Sequence, residues 1–229
     1  MSSSFLDLTN KTLRRLNEVE ISQSDFGSVR GVQALAKDAI RAAVAKINQA
    51  EFEWPFNAAE HSQTLAVGQE EYSWPAYFKT VDWNSFQLQK DFSLGVDYTR
   101  LDFISRDVWY EDYRDEDYSA GSAGRSHPTK VFPGHGMGFG VTPAPDQAYT
   151  LKFRYYMNYA DLVNHDDISR IPTAFEDVVI DGALHHMYMF RDNMDAAQLT
   201  QVSFLQGIKE MQSLLINKFH SVTDTRVKY

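Results

Sequence analysis

Helical periodicity at both ends of this chain, and its loss over the roughly hundred residues between them, restricts the fold more than any other feature. Apolar residues at Phe5, Leu8, Leu13, Leu16 and Val19 predict a short amphipathic helix over about 5–20, with Asp7 or Thr9 at its start. Val32, Leu35, Ala36, Ala39, Ile40, Ala43, Val44 and Ile47 recur at three and four residues and predict a second helix reaching about Phe52. It ends before Trp54-Pro55, because proline disfavours the helical conformation in the residue before it. After Pro172 the pattern resumes: Phe175, Val178, Val179, Gly182, Ala183, His186, Met187 and Phe190 form one stripe, with Thr173 as N-cap and Glu176 completing a capping box. A last helix over about Ala196 to Phe219 has the stripe Leu199, Val202, Leu205, Ile208, Met211, Leu215 and Phe219, with Asp192 or Asn193 in the hairpin before it.

Between these flanks the texture is aromatic and β-branched, broken by Gly, Pro and Asp. Thr64-Val67, Ser85-Gln89, Arg100-Ile104 and Tyr149-Tyr155 alternate in a two-residue period, as half-buried strands do. Ser119 to Pro145 holds 6 of the 12 glycines and 4 of the 7 prolines, which predicts a long irregular loop or extended arm. The expected fold class is α+β: a helical bundle of N- and C-terminal helices (1–53 and 157–219) with an inserted, mostly antiparallel β domain (54–156). That domain carries the extended loop 119–145, and residues 220–229 form a polar C-terminal tail. A hydrophobic fraction of 43% over 229 residues suffices for a core.

Several functions are excluded or disfavoured. With no cysteine, the chain has no disulfide framework, thiolate metal site or Cys nucleophile. The start lacks a basic segment followed by an apolar run, and no stretch approaches the roughly 18 apolar residues of a membrane span, so a soluble, unsecreted protein is expected. The net charge of −9 disfavours a protein that grips phosphate backbones, yet suits the wall of a passage to which DNA must not stick.

The densest chemistry lies in 106–118, where six carboxylates and four aromatic rings fall within thirteen residues. Paired carboxylates serve glycosidases and oxygen clusters serve calcium, but the run lacks the spacing of either and reads as a solvated or interacting segment. His185 and His186 point about 100° apart on a helix and do not converge on one ion; His186, on the stripe, reads as a structural core histidine. His165-Asp166-Asp167 reads as a turn more readily than as a metal site. The Gly-rich run 134–140 is not followed by Lys-Ser/Thr and a helix, so it is no phosphate loop. Trp54-Pro55-Phe56, Tyr72 to Phe78 and Trp83 could stack sugars, though core packing accounts for most of these rings. No catalytic residue, metal or cofactor is expected.

The order and spacing of several diffuse motifs resemble the head-to-tail adaptor family of podovirus tails, the tail tubular protein A or gatekeeper type. They are Ile47-Asn48 followed by Trp54-Pro55-Phe56-Asn57, Thr64-Leu65, Tyr72 to Pro75 and Val81-Asp82, then Arg106-Asp107 and Tyr110. Pro143-Ala144-Pro145-Asp146, Leu151 to Tyr156 and Ile171-Pro172 before Phe175 and Asp177 complete them. The resemblance covers about Val32 to Asn193, and the long Gly/Pro arm departs from shorter members. It implies a structural virion protein, not an enzyme: a ring, commonly of twelve subunits, joining the portal to the tail nozzle or tube and contacting tail fibres, with genomic DNA passing through without specific binding. The tail Asp224, Thr225, Arg226, Val227, Lys228 and Tyr229 would reach the portal. Trp109, Tyr110, Tyr113, Tyr118, Phe132 and Phe139 would lie at a subunit or nozzle interface. Because a disordered tail and arm delay ring closure, the free protein is expected to be monomeric. A carbohydrate-binding tail component, or another phage connector or completion protein, is the alternative.

Overall fold

The computed structural model of the protein describes residues 3–89, 98–113, 124–158 and 162–216. Helices α1 (Phe5–Arg15) and α2 (Val32–Ala50) lead into strands β1 (Ala58–Thr64), β2 (Glu71–Ser73), β3 (Phe78–Val81), β4 (Gln87–Gln89), β5 (Tyr98–Arg100) and β6 (Asp102–Phe103). Helix α3 (Arg106–Asp112) precedes β7 (Lys130–Pro133), β8 (Gly138–Thr142) and β9 (Thr150–Met157), and the chain returns to helix with α4 (Glu176–Phe190) and α5 (Met194–Leu215). The fold is thus α+β, with a mostly antiparallel sheet insert between N- and C-terminal helices. Two compact units result, a helical one from Met1–Asn57 with Tyr159–Tyr229 and a β one from Ala58–Asn158.

In the helical unit, α1 begins at Phe5, where the apolar pattern places its start, but its cap is neither Asp7 nor Thr9. Ser4 is its N-cap: its Oγ accepts from the Asp7 amide at 3.1 Å, and the Asp7 carboxylate takes the Ser4 amide at 3.2 Å. Asp7 is therefore the third residue of a capping box, not the cap. The helix stops at Arg15, where Asn17 turns to φ 56°, and 16–31 is a loop that buries Ile21 and Phe26. The amides of Phe5 and Leu6 donate to the carbonyls of Asp167 and His165, so a distant loop satisfies groups a helix start leaves unpaired. That loop is closed by Asp167, whose carboxylate accepts from the Val163 and Asn164 amides at 2.6 and 2.7 Å. These two bonds hold its pKa below the usual carboxylate range, and they make 162–167 the ordinary turn the sequence predicts.

The core of this unit joins Phe5, Leu8 and Leu13 with Ala36, Ile40, Ala43 and Ile47, and both groups with Val179, Ala183, Met187, Phe204, Ile208 and Met211. Trp54 is fully buried with its indole N–H donating to the Ile47 carbonyl at 2.8 Å, which ties the helix end to the turn that leaves it. Two expectations need correction. Thr173–Phe175 forms a 3-10 turn with no side-chain cap, and Glu176 pairs with Lys11 at 2.5 Å instead of reaching back. The stripe assigned to α5 holds in its second half, where Ile208 and Met211 are buried, and fails in its first: Leu199, Val202 and Leu205 are 73%, 64% and 45% exposed, and Ala197, Phe204 and Gly207 face inward instead; Phe219 lies outside the described residues. The inward face is built partly of small residues, which let α5 approach α4 closely.

The β unit is organised by β9. It pairs along β1 on one edge, and on the other with β4 near its start and β3 near its end. One sheet runs β1-β9-β4-β5 with β3 also on β9; the other runs β2-β8-β7-β6, parallel only between β6 and β7. Leu151, Phe153 and Tyr155 alternate inward along β9 as their period predicts, and meet Val131, Phe139 and Val141 from the second sheet in one core. Phe139 bridges the sheets, with ring centroids 5.5 Å from Phe86 and 5.3 Å from Phe153.

The long arm also needs correction. Its residues 130–142 are the β7–β8 hairpin, and every residue of β8 is buried. The glycines there serve close approach more than turning: a Cβ on Gly140 would lie 2.1 Å from the Phe132 ring, and one on Gly138 would lie 2.4 Å from the Tyr72 carbonyl oxygen.

Candidate interaction site

Helix α3 and the tip of the β7–β8 hairpin gather most of the described residues that the sequence singles out. A helix of seven residues is too short to persist on its own backbone bonds. Here Ser105 Oγ accepts from the Val108 amide, and Trp109, 8% exposed, stacks on Phe132 with centroids 4.6 Å apart and planes 16° apart. Phe132 and Phe139 are 1% and 0% exposed, so their rings are interior packing of the β unit and not a surface for a partner. Phe132 braces the site from behind because the strand it occupies is a core strand, which the glycine-rich sequence disguises.

In front of that brace, four polar side chains from three separate segments form a chain. Arg106 donates to the Gly134 carbonyl at 3.1 Å and to the Tyr110 hydroxyl at 3.4 Å. Tyr110 Oη lies 2.9 Å from His135 Nε2, and His135 Nδ1 lies 2.6 Å from Glu71 Oε1. The His135 amide donates to the same Glu71 oxygen at 3.1 Å. With Glu71 ionised, Nδ1 carries the proton and donates to it, which leaves Nε2 to accept the tyrosine hydroxyl. The chain is open to solvent: Tyr110 is 36% exposed and the His135 and Glu71 side chains 55% and 39%. Its effect is to lock the hairpin tip to α3 and hold Tyr110 in one orientation. Tyr113 lies under Lys130, whose Nζ is 6.0 Å from the ring centroid. Asp107, Val108, Glu111 and Asp112 are exposed or partly exposed beside it, giving an acidic, aromatic surface.

The sequence singles out Trp109, Tyr110 and Tyr113, but it gives no sign of Glu71, Arg106 and His135 as one network. Glu71 and His135 are 64 residues apart, and no local pattern announces a pair that only strand pairing of β2 with β8 brings together. Tyr118 and Asp224 to Tyr229 lie outside the described residues. Among the described residues, no three His, Asp or Glu side chains come together to hold a metal ion, and no helix is long and apolar enough to cross a membrane.

The remaining candidates resolve into packing. In the β unit, Trp74 stacks on Phe78 at 4.3 Å and meets Phe139 and Phe153, while Trp83 stacks on Phe86, so these rings serve the core instead of a sugar platform. In the helical unit, an open cleft of about 340 Å³ is lined by Lys11, Arg14, Arg15, Glu176, Asp177 and Ile180. Its charges pair with one another and with nearby groups: Lys11 with Glu176, Arg15 with Asp177 and Asp181, and Arg14 with Glu20. His185 Nδ1 meets the Ala197 carbonyl at 2.9 Å, which ties α4 to α5. His186 lies toward solvent instead of on the core face, correcting the stripe reading. Partial burial of its ring, with His185 beside it, still lowers its pKa.

A family model described as SU10 adaptor protein matches residues 3–226. No curated protein matches the chain.

Proposed function

This chain belongs to the SU10 adaptor protein family, and from that premise we propose that it is a structural head-to-tail adaptor of a short-tailed bacteriophage. It forms a ring, of twelve copies by the earlier resemblance, between the portal and the tail nozzle or tube, and the genome passes through the ring. The observation that carries this reading is the family match, which extends across both the helical and the β unit.

Physical features support it. A ring closes when each subunit offers two different patches related by rotation, and a chain built as two units has distinct surfaces to offer. Net charge of −9 keeps a polyanion from adhering to a channel wall. The α3 surface, with Tyr110 and Tyr113 held on the Trp109–Phe132 brace, presents rigid aromatic contacts of the kind enriched at interfaces. We assign Trp109, Tyr110, Tyr113 and Tyr118 to the subunit or nozzle contact, with Trp109 acting from beneath. Asp224 to Tyr229 engages the portal, and tail fibres meet the β unit.

Negative-stain imaging of the purified protein mixed with portal rings tests the reading. A stacked ring under each portal is expected, and portals that stay bare at saturating protein overturn it. Removing residues 224–229 should abolish attachment to filled heads, and normal attachment by the shortened chain rejects the portal role of that segment.

A further inference from the structure

The outward face of α5 repeats itself about Val202. Taking 100° per residue around the helix, Leu199 and Leu205 lie about 60° to either side of Val202. Gln206 and Gln198 lie about 40° to either side, and Asp195 and Lys209 about 20°. Each pair is also equidistant from Val202 along the chain, and all seven residues are exposed. Rotating the helix by a half turn about an axis through Val202 therefore carries leucine onto leucine, glutamine onto glutamine, and aspartate onto lysine.

We infer that this face is the contact for a second copy of the chain, with the two α5 helices packed antiparallel across a two-fold axis at Val202. In that arrangement Leu199 of one copy shares a level with Leu205 of the other, on opposite sides of the midline, so the two interdigitate. Val202 meets its own equivalent. Asp195 of each copy stands against Lys209 of the other, giving two symmetry-related ion pairs that only the antiparallel alignment forms. A parallel alignment sets Asp195 against Asp195 and Lys209 against Lys209. Charge complementarity thus selects both the partner and its direction.

The size of the patch sets the strength. From Asp195 to Lys209 the strip is about 21 Å long, and the three apolar side chains on it are 45–73% exposed. One helix pair of that length falls below the roughly 1,200 Å² at which stable interfaces begin, so the pair is reversible, with a dissociation constant of about micromolar order. A two-fold contact closes at two copies and does not propagate around a ring. The inference concerns the free chain, stands apart from the adaptor reading, and sets a reversible dimer in place of the expected free monomer.

Sedimentation of the purified full-length chain over a micromolar range should show a monomer–dimer equilibrium. Asp195→Lys and Lys209→Asp, each alone, should weaken the dimer about tenfold, and the double exchange should restore it, because each reversed residue again meets an opposite charge. The cysteine-free background makes Val202→Cys a direct probe: a short bismaleimide should join the introduced thiol to its equivalent in the partner, and Val202→Asp should give monomers with unchanged circular dichroism. A monomeric wild-type chain, a double exchange that fails to recover, or absence of the 202–202 cross-link overturns the inference. Binding of that face only to portal protein would appear as the first of these.

Discussion

Gly182 sits where α4 crosses both α2 and α5, and its replacement by alanine weighs two opposing effects whose sizes are known. On an open helix, Gly→Ala stabilises by about 1 kcal/mol, because glycine loses the most backbone freedom on folding. Here the added Cβ would lie 2.7 and 2.9 Å from two carbons of the Phe204 ring and 2.9 Å from Ala43 Cβ. Phe204 is 6% exposed and Ala43 1% exposed, so neither has room to retreat. Overpacking of this kind costs about 1–3 kcal/mol, and two encroached neighbours place Gly182→Ala in the upper half of that range. The net expectation is a loss of about 1–2 kcal/mol, or roughly 2–8 °C in melting temperature for a chain of this size. Urea unfolding followed by far-ultraviolet circular dichroism measures it. Phe204→Leu in the same chain should recover more than additivity allows, since it removes the ring that the methyl strikes. Gly182→Ala more stable than wild type by the full helix-propensity gain would refute close packing of the three helices, and with it the assignment of Leu199, Val202 and Leu205 to the outward face.

Two further outcomes follow from the site and from α4. Trp109→Ala should destabilise the β unit by about 3 kcal/mol through lost stacking on Phe132, and amide exchange over residues 106–113 should rise with it as α3 melts. His186 has a folded pKa below its ordinary value of 6.5, so the unfolded chain takes up its proton first. Its contribution is intact above about pH 7 and is lost as pH falls through 6.5 toward the folded value. His186→Gln should flatten the stability slope as pH falls through 6.5, and an unchanged slope would show that the partial burial of the ring and its neighbour His185 leave its proton affinity unaltered.

The helices are legible because four stretches keep a 3.6-residue period, and Ala43, Ile47, Val179 and Met187 fall inside as that period requires. Helix α5 shows why a period alone does not orient a helix. Its predicted stripe advances mostly three residues at a time and so drifts about 60° per step, passing from the exposed Leu199 and Val202 to the buried Ile208 and Met211, while the inward face at the start of the helix is held by the small Ala197. The β7–β8 hairpin escapes for a related reason. Glycine and proline usually mark turns, but Gly138 and Gly140 occupy a strand because a neighbouring carbonyl and ring leave no room for a Cβ. The Glu71–His135–Tyr110 chain is not legible at all, since it exists only after β2 and β8 pair. The resemblance drawn from the spacing of diffuse motifs agrees with the family that matches residues 3–226 at the level of a phage head-to-tail adaptor.

The position of β9 governs the order in which this molecule can be made. Strands β1, β3 and β4 all await it, and among the described strands it is the last to leave the ribosome. The first two helices likewise wait for α4 and α5, more than a hundred residues downstream. The β unit cannot finish before Met157, about two thirds of the way along the chain, and the helical unit waits for α5, so the nascent chain carries unsatisfied apolar surface through most of translation. Its yield in the infected cell should therefore depend on host chaperones more than that of a protein of equal length whose contacts are local.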